Sequence, residues 1–186
     1  MSIAKTISDA EQKMLIAIEA YKHELSTIRT GRANPSILEG IRVDYYGVPT
    51  PLNQVGNISA PEPRMLIIQP WDKSIINGIE KAILAANIGI NPGNDGEVIR
   101  LPIPQLTEER RKELVKQVKK KGEDFKVEIR NIRRQTNDLL KKLEKDEGVS
   151  EDAVKNGEAE VQELTKKYSE LIDSIGVHKE EAILEV

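Results

Sequence analysis

The sequence predicts an α+β protein: a long three-helix antiparallel bundle with a small β/α/β domain inserted on a two-strand hinge. Three observations carry that expectation. All nine prolines lie between Pro35 and Pro104, and eight of the twelve glycines between Gly31 and Gly96. Proline removes an amide donor and clashes with the preceding helical turn, so the middle of the chain cannot be long helix while the flanks can. Both flanks carry apolar residues at helical spacing, and the composition, 32% charged against 3% aromatic, suits long exposed helices. A chain of 186 residues has room for one or two small domains.

In the first flank the apolar positions run Ile3, Ile7, Ala10, Met14, Ala17/Ile18, Tyr21, Leu25, Ile28. Steps of three and four that repeat every seven residues keep one helix face against a partner. The pattern resumes at Leu114, Val118, Phe125, Ile129, Ile132, Thr136, Leu139 and Leu143, and again at Val154, Gly157, Val161, Leu164, Tyr168, Leu171, Ile175, His178 and Ala182. Thr107, followed by Glu108 and Glu109, suits the start of the second helix. Gly148 stops that helix and Ser150, with Glu151 and Asp152, starts the third. So short a loop makes the second and third helices antiparallel neighbours.

The middle reads as strands at Ile41–Tyr46, Val55–Ser59, Arg64–Gln69 and Glu97–Ile103, with a helix from Asp72 to about Asn87 capped by Asp72 and stapled by Trp71 onto Ile76. The segment Asn91–Gly96 is turn chemistry. The expected division is residues 1–30 and 106–186 for the bundle and 31–105 for the inserted domain. The two crossings, Thr30-Gly31-Arg32 and Pro104-Gln105-Leu106, form the expected hinge.

Catalytic constellations are missing. There is no cysteine, which removes thiol nucleophiles, disulfides and zinc or iron–sulfur sites that need thiolates and fits a reducing compartment. His23 and His178 are the only histidines, and His178 reads as a seam residue of the third helix. Gly31–Ser36 lacks the Gly-Lys-Ser/Thr ending of a phosphate-cradling loop. No basic start leads into an apolar run, and no stretch of about 18 apolar residues occurs, so a soluble, cytoplasmic protein without metal or cofactor is expected.

Charge is informative by segment. The total is −3, yet residues 107–147 hold fourteen basic and ten acidic side chains while 148–186 hold four and ten. At 100° per residue with Ile129 at zero, Lys112, Lys116, Lys119, Lys126, Arg130, Arg133, Arg134 and Lys141 fall between about +40° and +140°, a stripe about 43 Å long beside the apolar seam. Lysine and arginine at that density present charge to a phosphate backbone, and arginine forks can take two phosphate oxygens at once. No aromatics interleave, which disfavours base stacking on single strands and favours folded RNA read by shape. A solvated face paired with the acidic third helix stays open at this point, as does a helical adaptor that binds an acidic protein helix. A hydrolase is the weakest reading.

Five motifs then fall in order: Arg29-Thr30-Gly31-Arg32-Ala33-Asn34-Pro35, Asp44-Tyr45-Tyr46-Gly47, Gln69-Pro70-Trp71-Asp72, Leu101-Pro102-Ile103-Pro104 running into Leu106-Thr107-Glu108-Glu109-Arg110-Arg111-Lys112, and Arg130-Asn131-Ile132-Arg133-Arg134. With them the chain resembles the bacterial ribosome recycling factor family over its full length. The resemblance implies an L-shaped monomer that binds the ribosome after termination, with its bundle along large-subunit ribosomal RNA. It implies subunit splitting with elongation factor G and GTP hydrolysis, releasing mRNA and tRNA, with a functional link to initiation factor three. The family's RNA-contacting arginines match Arg29, Arg130 and Arg133, and extend to Arg110 and Arg134. With the stripe, the expected interface is Arg29, Arg110, Lys112, Lys116, Lys119, Lys126, Arg130, Arg133 and Arg134, and Arg133 is expected to be exposed.

Overall fold

A computed structural model describes residues 2–185 and divides into two compact units, one formed by the chain up to Arg29 and from Glu108 onward, the other by Thr30–Thr107. The first unit is built of three helices, α1 (Ile3–Ser26), α3 (Glu108–Glu147) and α4 (Glu151–Leu184); the second holds six short strands and one helix, α2 (Ile76–Ala86). The protein is thus mixed helix and sheet, with its long helices and its sheets in different units.

The helices begin and end where side-chain chemistry dictates. Ser2 accepts from the Lys5 amide at the start of α1, and Ser150 accepts from Ala153 N at the start of α4. α3 ends at Glu147 because Gly148 takes φ +66°, a left-handed conformation that glycine adopts without strain. A Cβ placed on Gly157 would touch Ile3 and Leu140, whereas Gly122 and Gly176 both face Tyr21. The start of α1 therefore lies beside the end of α3 and the start of α4, so α1 runs antiparallel to α3 and parallel to α4.

The buried seam departs from the seven-residue repeat. α4 buries Val154, Gly157, Val161, Thr165, Tyr168, Ile172, Gly176 and Ile183, and α3 buries Leu114, Val118, Gly122, Ile129, Ile132, Thr136, Leu140 and Leu143. Val161, Ile172 and Ile183 are eleven residues apart in turn, as are Val118, Ile129 and Leu140. A straight helix of 3.6 residues per turn drifts by about 20° per heptad, so over 34 or 40 residues the seam moves off a strict seven-residue series. Three expectations are corrected for that reason. His178 is exposed rather than a seam residue, Leu171 is exposed while Ile172 is buried, and Leu139 is 41% exposed while Leu140 is fully buried.

In the second unit, β1 (Arg42–Tyr45) pairs antiparallel with β2 (Val48–Pro51) as a separate hairpin. β2 escapes the strand pattern because Pro49 and Pro51 interrupt it, which an edge strand tolerates. Tyr46 and Gly47 at its tip have φ 49° and 83°, the pair of left-handed residues that a tight hairpin turn of type I′ requires. A four-stranded antiparallel sheet follows in the order β3 (Gly56–Glu62), β4 (Met65–Pro70), β6 (Ile99–Pro102), β5 (Gly93–Asn94). The segment expected as turn alone thus supplies the short β5. Leu66, Ile68, Ile79, Ile83, Ile99 and Leu101, none more than 1% exposed, form the unit's core between sheet and α2. Asp72 caps the helix approach as expected, accepting from Ser74 N at 2.9 Å. Trp71 does not pack there: it is 64% exposed while Ile76 is buried.

Candidate nucleic-acid interface

The stripe on α3 is a property of one uninterrupted helix, which fixes the spacing of its cations at 1.5 Å of rise per residue. The structure exposes Arg110, Lys112, Lys116, Lys119, Arg130, Arg134 and Lys141, together with Arg29 at the end of the first segment. Arg130, Arg134, Lys116 and Lys119 form no ion pair with a carboxylate among the described residues. Lys112 and Arg110 each meet a carboxylate of their own helix, Glu108 at 3.6 Å and Glu113 at 2.9 Å, with all four side chains more than half exposed. Exposed pairs of this kind hold loosely and exchange readily for a phosphate.

Two members of the stripe differ from expectation. Lys126 has a side chain only 18% exposed and is paired with Asp173 of α4 and with Glu123 at 3.3 Å. The hydrogen bond to Asp173, ahead of the one to Glu123, holds its ammonium above the usual lysine range. It ties α3 to α4. Arg133 is half-buried, not exposed, and donates from Nη1 to Gln162 Oε1 at 3.1 Å. That contact neutralises none of its charge and leaves a guanidinium held in place on the α3/α4 side. Gln162 carries no sequence signal for this role, because it lies 29 residues away on another helix.

The segments expected as the hinge are placed as follows. Thr30, Gly31 and Leu106 are half-buried, and Arg32, Pro104 and Gln105 are exposed. Gly31 has φ +80°, and a Cβ on it would stand 3.2 Å from Leu106 Cγ, so the two connecting segments pack on each other at a position that favours glycine twice over. No group of three or more histidine, cysteine, aspartate or glutamate side chains among the described residues is placed to hold a metal, and no described helix is long and apolar enough to cross a membrane.

Residues 21–184 match the family model described as ribosome recycling factor. The chain belongs to the ribosome recycling factor family. The ribosome-recycling factor of Natranaerobius thermophilus is 62% identical over 175 residues, covering 94% of this chain and 95% of its own. That of Syntrophomonas wolfei is 55% identical over 184 residues, 99% and 100% of the two chains. A solution structure of ribosome recycling factor, 40% identical, superposes with a TM-score of 0.79 over 100% of this chain and 99% of that one. A second structure, 43% identical with a TM-score of 0.65 and covering both chains completely, is described as the T. thermophilus ribosome recycling factor and E. coli elongation factor G bound to the E. coli post-termination complex. The family match therefore takes in all of α3 with its cationic stripe, both connecting segments and the whole of the second unit.

Proposed function

We propose that this chain is a non-catalytic translation factor that binds the post-termination ribosome. With elongation factor G and GTP hydrolysis it splits the ribosome into subunits, so that mRNA and tRNA are released. Its α3 ridge grips large-subunit ribosomal RNA through Arg130, Arg134, Lys116 and Lys119, joined by Arg29, Arg110, Lys112 and Arg133. Free energy comes from the GTPase, residues Thr30–Arg32 and Pro104–Leu106 act as the hinge, and initiation factor three keeps the separated subunits apart. The protein works as a monomer in the cytoplasm.

The observation that carries the RNA reading is the row of exposed α3 cations without intramolecular carboxylate partners, extending over several helical turns on one face. Had they been paired to α4, as Lys126 is, the solvated-face reading would have been the better one. Family membership and the ribosome-bound neighbour support the splitting role.

The test is light scattering of post-termination complexes with the full chain, with and without elongation factor G and GTP. A fall in scattering that needs all three components is expected. A fall that persists without GTP, or none with every component present, overturns the proposal.

A further inference from the structure

The α1 side chain Tyr21 is 1% exposed, and its ring, 5.2 Å from that of Phe125, ends where α3 and α4 both lack a side chain. A Cβ on Gly122 would lie 3.1 Å from the Tyr21 hydroxyl and one on Gly176 only 2.9 Å from it. Glycine inside a long helix is unfavourable, yet two lie here, where they leave room for the phenol. The Tyr21 hydroxyl bonds to no other described residue and is not sealed from solvent. The phenol is threaded through the α3/α4 interface and emerges on its far side.

There it forms part of the lining of a groove of about 500 Å³. Val118, Ile172 and Val177 supply apolar wall, and Lys126, bridged to Glu123 and Asp173, closes part of the rim. Glu180 and Lys119 complete the charged lining, so acids outnumber bases around the hydroxyl. Burial is the main reason the Tyr21 phenol is held above its usual range, and the Glu180 and Asp173 charges add to it against Lys126. An oxygen with free lone pairs in a net acidic, partly apolar slot accepts from a cationic donor that carries an aliphatic stem.

We propose that the groove over Tyr21 binds an alkylammonium or alkylguanidinium group, with the Tyr21 hydroxyl accepting a hydrogen bond from it and Glu180 providing the countercharge. Val118, Ile172 and Val177 cover the methylenes. The same chemistry is offered by a free polyamine and by a lysine or arginine side chain of a protein partner. The inference does not depend on ribosome recycling, although Lys119 at the groove's edge also belongs to the α3 ridge.

The experiment follows the valine and isoleucine methyl resonances of the full chain during titration with butylammonium, spermidine and N-acetylarginine amide. Saturable shifts confined to Val118, Ile172 and Val177 are expected. Tyr21→Phe and Glu180→Gln should each weaken binding by about fivefold or more, the scale of one hydrogen bond, while circular dichroism confirms that both variants are folded. Tighter binding of spermidine points to a polyamine, and tighter binding of the arginine amide to a protein side chain. The proposal is overturned if shifts do not saturate, if neither variant weakens binding, or if adenosine monophosphate produces the shifts and the amines do not.

Discussion

The Tyr168 hydroxyl donates to Glu11 Oε1 at 2.7 Å, joining α4 to α1, and the side chain is 3% exposed. Burial first, then the hydrogen bond and charge of Glu11, push its phenol up to about 12. An unfolded tyrosine loses its proton near pH 10, as is usual for this group. Between those values the folded state holds a proton that the unfolded state has lost, so stability falls as pH rises through the window and is fully present below it. Denaturant titrations of the intact protein are therefore expected to lose stability from about pH 10 to 12, and Tyr168→Phe to lose less over the same interval. A second residue-scale outcome concerns Gly176. Alanine in an exposed helix interior is favoured by about 1 kcal/mol over glycine, but here the new methyl meets the Tyr21 hydroxyl at the end of a rigid ring. Gly176→Ala alone is expected to destabilise, and in the Tyr21→Phe background the same change becomes neutral or stabilising. The coupling in a thermal-unfolding double-mutant cycle measures this directly.

Among the elements, the long helices decide which apolar residues become core. At 100° per residue Leu140 falls about 20° from Ile129 and Leu139 about 80° on the other side, and the structure buries the first and exposes the second. Leu140→Ala should cost about 2 to 5 kcal/mol, the range for emptying a packed leucine site, whereas Leu139→Ala should fall within about 0.5 kcal/mol, both read from urea midpoints. Equal costs would contradict the eleven-residue seam. Caps and stops were legible from sequence because they are local: Ser150, Gly148 and Asp72 act within a few residues of themselves. The β1–β2 hairpin was only half legible, since its second strand is held by pairing with Arg42–Tyr45 despite two prolines. Trp71 misled because its staple partner Ile76 turns to the core of the second unit instead.

For the whole molecule, a net charge of −3 would repel RNA if it were spread evenly. It is not spread evenly, because α3 is basic and α4 acidic, and only some of the opposed charges meet. Binding to large ribosomal subunits is accordingly expected to weaken steeply with salt. Arg130→Ala should lower affinity by about 1.5 to 3 kcal/mol and reduce the slope of log K against log salt by about one, with unfolding unchanged because the side chain is exposed. Lys126→Ala should do the reverse, lowering the stability of the helical unit, since Asp173 and Glu123 lose their partner. Filter binding across a salt series, paired with thermal melts, distinguishes the two behaviours.

By itself the sequence determined the class of fold, the three helices with their starts and stops, the angular position of the cationic stripe and the family motifs. All of these follow from spacing along one chain and from side chains that act on their own neighbours. Only the tertiary structure decided which cations remain available, because Lys126 and Arg133 are distinguished by Asp173 and Gln162 on another helix. It also decided that Leu140 and Gly176 rather than Leu139 and His178 face inward, because a small angular drift per turn accumulates along a helix until only the packed partner fixes the register. The slot around Tyr21 is of the same kind, since it exists only where two glycines from separate helices meet one phenol from a third.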